Sequence, residues 1–186
     1  CCPNAEFEFD DFNGIVVRTL KDIEPGEEIC ISYLPRGVLL QSTELRRLKL
    51  EDHLFTCRCA RCLWPADLSR GFCCPVSECA GVCFMPGDTT CTDERTPSAS
   101  LPCALCGVAL AGKQLDVALD YEAQYGFVAE YGNMHQDYST AHGLAFGSVV
   151  VFRQHWIIVA IMQALENHYL RTGAAADAME AHIRIE

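Results

Sequence analysis

The stretch Asp22-Ile23-Glu24-Pro25-Gly26-Glu27-Glu28-Ile29-Cys30-Ile31-Ser32-Tyr33, with Phe55-Thr56-Cys57-Arg58-Cys59-Ala60-Arg61-Cys62 some twenty residues later, decides how the 186-residue chain is read. Ile29, Ile31 and Tyr33 alternate with period two, and Ile15-Val16-Val17 is a β-branched run, so residues 14–33 are expected to form a β-hairpin. Pro25-Gly26 supplies its turn, because proline presets φ and glycine accepts a positive φ. Ser42 is placed to cap a helix reaching about His53, with Glu44 in the first turn and Leu45 and Leu48 on one face.

Downstream, residues 57–106 are cysteine-rich with little periodicity, and the Thr, Ser, Pro and Asp between Pro86 and Pro102 point to an exposed loop. Beyond Gly112 the pattern turns helical. One helix is expected from Leu115 to about Tyr131, weakened by Gly126. A second runs from Gln154 to Arg171, with Ile158, Met162, Leu165 and Tyr169 at helical spacing and Gly173 as its stop, and a third from Ala174 to Ile185. The apolar stripes read as packing surfaces. Ala145 to Leu165 is the most apolar stretch, but Arg153, Gln154 and His155 interrupt the roughly 20 apolar residues a bilayer crossing needs, so a buried helix is expected and no membrane association.

The thirteen cysteines form an odd set, and no secretion signal marks the chain for disulfide formation. Cys57-x-Cys59-x-x-Cys62 and Cys103-x-x-Cys106 are spaced too closely to bridge well within each motif, yet suit thiolates turned onto one ion, with zinc favoured. Cys74-Pro75-x-x-x-Cys79 and Cys103-x-x-Cys106 read as two knuckles of a second site, each followed by a nearby glycine (Gly81, Gly107); Cys73 and Cys83 compete as ligands, and Cys91 sits in the loop. Cys30 is expected to be a half-buried thiol. His135, His142, His155 and His168 lack metal spacing and are expected on the surface or in helix packing. A net charge of −11 argues against a nucleic-acid partner and favours basic protein segments or simple solubility.

Taken in order, Cys1-Cys2-Pro3-Asn4, the Gly26-Glu27-Glu28-Ile29-x-x-x-Tyr33 run, the Ser42-Thr43-x-x-Arg46-Arg47 helix and the Cys57/Cys59/Cys62 triplet resemble the C-terminal half of SET domains, above all the SET/MYND (SMYD) lysine methyltransferases. The resemblance covers the first third of the chain strongly and the rest loosely. It implies an α+β fold: residues 1–56 as the C-terminal portion of a SET β-fold, residues 57–110 as a post-SET zinc cluster with a second knuckle pair, and residues 111–186 as a helical C-terminal region. It also implies transfer of a methyl group from S-adenosylmethionine to protein lysines, histone tails among them, in the cytoplasm or nucleus. Tyr33 matches the family's catalytic tyrosine. Phe55 matches an aromatic that packs on the cofactor's adenine, or is plain core at the helix end. Cys1 matches the fourth zinc ligand beside Cys57, Cys59 and Cys62, ahead of its neighbour Cys2. The Asn-His-Ser part of the family's cofactor motif and its glycine-rich loop are not in this sequence, so the chain is expected to be a fragment, inactive alone. A catalytically inactive SET-like scaffold that binds zinc and a protein partner is the other reading.

Overall fold

The computed structural model describes residues 1–87, 98–135 and 151–174. Strands β1 (Ala5–Phe9) and β2 (Ile15–Thr19) pair antiparallel, Ala5 opposite Thr19 and Phe9 opposite Ile15. The hairpin therefore closes at Asp10–Gly14, not at Pro25-Gly26. The Asp10 carboxylate accepts from the N–H groups of Phe12 (2.9 Å) and Gly14 (2.6 Å), and Asn13 takes the left-handed conformation at φ 60°. A short polar side chain that bonds its own backbone is what such a turn requires. Residues 29–33, expected as the second arm, form no strand among the described residues. They are held instead by Asn4, which is buried. Its Oδ1 accepts from Cys30 N (2.7 Å), its Nδ2 donates to Glu28 O (2.8 Å) and Glu27 Oε1 (3.1 Å), and its own N–H donates to Cys30 O (3.0 Å). One asparagine thus does the work of a short ladder.

Helix α1 (Arg36–Leu39) leads into α2 (Thr43–Leu50), capped by Ser42 Oγ accepting from Leu45 N at 3.2 Å, as the sequence leads one to expect. The buried residues of α2 are Thr43, Arg46 and Leu50; of the two leucines expected on its packing face, Leu45 packs half-buried against the cluster of α5 residues around Trp156 and Ile161, whereas Leu48 is exposed. A 3-10 turn over Glu51–His53 ends at Leu54, whose φ of 60° swings the chain round so that Phe55 starts a new direction. Left-handed backbone costs a leucine on the order of 1 kcal/mol.

After the short helix α3 (Ala60–Leu63), the cysteine-rich region forms strands β3 (Ala66–Cys73) and β4 (Val82–Pro86). They join β5 (Phe152–His155) in an antiparallel sheet of order β4-β3-β5. Gly71 lies at the centre of β3; a Cβ there would stand 2.7 Å from Gln154 O and 2.8 Å from Val82 Cγ1, so only glycine lets the three strands close up. Helix α4 (Gly112–His135) is longer than its sequence pattern, and α5 (Trp156–Thr172) begins two residues later than expected because Gln154 and His155 belong to β5. Gly173 ends α5 in the left-handed conformation at φ 78°. The expected helix from Ala174 to Ile185 lies outside the described residues from 175 on, and Cys91 and His142 also lie outside them.

Three apolar clusters result. Leu34, Leu50, Cys57 and Cys62 form one; Phe72, Cys83, Met85, Cys103, Leu110 and Leu115 form the second, between the sheet and α4; Trp156, Ile157, Ile161, Met162 and Leu165 of α5 form the third. Where sheet and helices meet, Arg70 makes a two-pronged bond to Glu122 (Nε to Oε1 2.7 Å, Nη2 to Oε2 2.6 Å), and His155 Nε2 lies 3.3 Å from Glu122 Oε1. His155 is buried here and caps α5, its Nδ1 accepting from Ile157 N at 3.3 Å, which is the packing role and not the surface one. Burial would raise the Glu122 carboxyl, but the His155 imidazole beside it and the hydrogen bonds and charge of Arg70 outweigh that and hold the group at about 2. Burial holds His155 below the ordinary imidazole value, against the pull of Glu122.

Both shifts act in one direction. Each folded-state value lies below its unfolded one, so each group contributes stability above its unfolded value and loses it as pH falls. For His155 the loss begins below about 6.5, and for Glu122 it runs from about 4.5 down to about 2. Arg70→Met leaves a buried carboxylate unpaired and is expected to cost about 3–5 kcal/mol in denaturant unfolding at pH 7. The deficit relative to the native chain should shrink in the same titration at pH 3, where the orphaned Glu122 can take up a proton.

Candidate functional site

Leu54 turns the chain so that Phe55 comes beside Tyr33, ring centroids 5.7 Å apart and nearly perpendicular. His53 stands on another side of the tyrosine at 5.3 Å, a neighbour the sequence reading did not identify. Tyr33 is 60 % exposed and Phe55 41 %, and Phe55 belongs to none of the buried clusters. Both rings line one cavity of about 190 Å³, whose wall includes Pro3, Cys30, Leu50 and the cysteines Cys1, Cys57 and Cys59. It is an apolar recess with a phenol at its rim. Cys30 is half-buried, as expected, and faces into it.

Among the described residues, cysteines come together in two groups of four. The Sγ atoms of Cys1, Cys57, Cys59 and Cys62 lie within 4.8 Å of one another, and so do those of Cys74, Cys79, Cys103 and Cys106. Tetrahedral zinc with Zn–S bonds near 2.3 Å sets its sulfurs about 3.8 Å apart. The pairs Cys79–Cys103 at 3.8 Å and Cys74–Cys106 at 3.3 Å already sit close to that spacing. Sulfur donors in fours, drawn from distant parts of the chain, fit a structural metal ion. All the described cysteines are free thiols, and Cys2 is exposed and outside both groups.

The competing ligands fall away for visible reasons. Cys83 is fully buried in the core against Met85 and Phe72, and its thiol points to Val108 O at 3.6 Å. Cys73 ends β3, its N–H donating to Val151 O, and it stands outside the four-sulfur group.

The two groups hold their sulfurs by different means. At the second, backbone N–H groups of Cys106 and Leu105 donate to Cys103 and hold it at about 6, well below an ordinary thiol, as expected of a knuckle whose amides turn toward sulfur. At the first, burial pushes Cys57 up, while Cys62 has its rise from burial more than offset by a hydrogen bond from Arg46, 3.7 Å away, and by its charge.

Gly81 is a close-approach glycine. A Cβ there would lie 2.1 Å from Cys103 Sγ and 3.3 Å from Cys79 Sγ. Gly81→Ala is therefore expected to disrupt the second group selectively: in a cobalt titration followed by sulfur-to-metal charge-transfer absorption, half the signal should be lost and the rest should titrate as in the native chain.

Residues 1–34 match the SET domain family. A 69-residue stretch is 49 % identical to Protein-lysine N-trimethyltransferase SMYD5 of Gallus gallus and 46 % identical to that of Homo sapiens, covering 36 % of this chain and 16 % of each relative. A 65-residue stretch is 42 % identical to Histone-lysine N-methyltransferase SMYD3 of Homo sapiens, covering 33 % of this chain and 14 % of the relative. The chain thus spans about one sixth of the length of the curated relatives it matches. The likeness is to SET/MYND-type lysine methyltransferases. No helix among the described residues is long and apolar enough to cross a membrane.

Proposed function

We propose that this chain carries part of a SET/MYND-type protein-lysine N-methyltransferase, moving a methyl group from S-adenosylmethionine to a lysine amine of a protein. The observation that carries the reading is the shared recess: Tyr33 and Phe55 line one cavity whose wall includes Cys1, Cys57 and Cys59, and Tyr33 lies within the residues that match SET domains.

S-adenosylmethionine supplies the electrophilic methyl on its sulfonium. The chemistry is an in-line displacement by a neutral amine, so the chain's residues contribute alignment and electrostatics and form no covalent intermediate. The Tyr33 hydroxyl orients the amine and the methyl, its ring walls the lysine channel, and weak C–H···O contacts to the methyl add modestly. The exposed face of Phe55 offers an adenine a stacking surface. Zinc held by Cys1, Cys57, Cys59 and Cys62 ties the segment after Phe55 back to the start of the chain, closing the recess on one side. A second zinc held by Cys74, Cys79, Cys103 and Cys106 fastens β3 and β4 to the turn before α4. The three-part division at residues 56 and 110 belongs to the same proposal, with the first fastener joining its first two parts.

The net charge of −11 favours lysine-rich substrate segments such as histone tails. Free thiols fit a reducing compartment, cytoplasm or nucleus. The relatives' names are those of methyltransferases, which favours the enzyme over the inactive scaffold. The complete protein carrying this segment, given S-adenosylmethionine with a labelled methyl, should label lysine-bearing histone peptides and leave their lysine-to-arginine versions unlabelled. Binding of S-adenosylmethionine without any label on lysine across a histone and non-histone panel would contradict the reading.

A further inference from the structure

The Arg46 side chain is wholly buried, a costly place for a cation without a partner. Its Nη2 donates to Thr43 Oγ1 (2.9 Å) and to Cys62 Sγ (3.7 Å), and its Nη1 donates to Gln41 O and to Ser69 Oγ (3.5 Å). Its Nε is buried without a partner. Among the described residues it forms no ion pair with a carboxylate. The nearest acid along β3, Asp67, already accepts from Thr43 N (2.7 Å) and Ser69 N (3.1 Å). A second guanidinium stands close by: Arg61 donates to the same Ser69 Oγ at 2.6 Å. Positive charge is therefore gathered behind Cys62, and the group it touches that can carry negative charge is the sulfur.

Four thiolates around a divalent cation carry a net charge of about −2. We propose that Arg46 is the built-in counter-charge and positioning residue of the first metal centre: its guanidinium neutralises part of the thiolate charge and fixes the Cys62 sulfur, so that metal affinity at this centre depends on a residue of α2 that is not itself a ligand. The inference rests on the metal-centre reading above and extends it to a residue outside the cysteine set.

The geometry explains why arginine stands there. A guanidinium has five N–H donors in a rigid fork, and Arg46 spends four bonds on acceptors that lie on the turn before α2, on α2, on β3 and on α3. An ammonium has three donors at one point and cannot reach all four. Arg47 adds a bond from Nη2 to Cys62 O at 3.0 Å, fixing the backbone of the same cysteine. Among the described residues no guanidinium bonds a sulfur of the second centre, where backbone amides of Cys106 and Leu105 serve Cys103. The second centre is a control within the same molecule.

The test is zinc partition between the 186-residue chain and a chromophoric chelator, read for each centre separately by using Cys103→Ser to leave the first centre alone and Cys57→Ser to leave the second. Outer-sphere partners of metal ligands typically change affinity by about 10- to 100-fold. Arg46→Met should lower zinc affinity at the first centre by about that factor and leave the second unchanged. Arg46→Lys, which keeps charge and bulk, should lose several-fold at the first centre only. A role in packing alone would lower the melting temperature and leave the partition curve of either centre in place. Should Arg46→Met fail to fold, Arg46→Lys decides: unchanged affinity at the first centre overturns the proposal. If the native chain with Cys103→Ser binds no zinc, the metal-centre reading itself has failed; if it binds and neither Arg46 variant alters it, only the role of Arg46 falls.

Discussion

Tyr33→Phe in the complete protein is expected to lower kcat for methyl transfer on the order of 10²-fold, with little change in S-adenosylmethionine binding. The substitution removes one oxygen and keeps the ring. The ring contacts with Phe55 at 5.7 Å and His53 at 5.3 Å do not need the hydroxyl, and the side chain is more exposed than buried, so folding should be spared. What is lost is an oriented dipole at the rim of the recess, and single preorganised groups of this kind contribute about 10²–10³ in rate. Tyr33→Ala should cost more, since the channel wall goes as well and lysine binding weakens with it. Single-turnover assays beside calorimetric cofactor binding separate the two effects. Wild-type turnover by Tyr33→Phe would remove the tyrosine from its assigned role.

The larger effect on stability should come from taking the metal away. Structural zinc centres contribute about 10 kcal/mol or more to folding, which rivals the whole 5–15 kcal/mol stability of a typical domain. Here the sulfurs sit within the cores: Cys57 and Cys62 pack with Leu34 and Leu50, and Cys103 packs with Phe72 and Met85. Empty, each group would leave four thiols crowded within 4.8 Å with nothing joining them. Excess chelator is thus expected to lower the melting temperature by more than about 20 °C, at some 2–4 °C per kcal/mol for a chain of this size. Cys57→Ser should loosen residues around Tyr33 and α2, and Cys103→Ser the β3–β4 ribbon, distinguishable by hydrogen exchange. An unfolding curve indifferent to the chelator would show that the cysteines are ordinary packing residues.

Local chemistry was readable from the sequence wherever residue type and spacing are themselves the mechanism. Ser42 caps α2 and Gly173 ends α5 because a hydroxyl and a missing Cβ act within a few residues. The eight cysteines come together in the expected two fours, since short Cys-x-x-Cys spacings can place sulfurs on one side of a turn. Long-range pairing was not readable. The alternation at 29–33 is genuine, yet the strand partner of Ile15–Thr19 is Ala5–Phe9, brought round by Asp10 and Asn13. Asn4 appeared only as the tail of a motif, though its side chain and backbone bonds hold the Glu27–Cys30 segment in place. The burial of Arg46 and of the Arg70–Glu122–His155 cluster was not readable for a plainer reason: a charged side chain is normally solvated, and only the tertiary fold shows that these are buried. The loop expected between Pro86 and Pro102 lies outside the described residues from 88 to 97, while the ribbon before it, β3 and β4, was not announced by the sequence because cysteine, glycine and proline interrupt its alternation.

The most direct test is the mass of the 186-residue chain, measured under non-denaturing conditions after purification with zinc. Two zinc ions per chain are expected, one remaining in Cys57→Ser and one in Cys103→Ser, and none when both are replaced. A chain that carries no metal, or whose mass shows disulfides among Cys1, Cys57, Cys59 and Cys62, would contradict the two-centre reading.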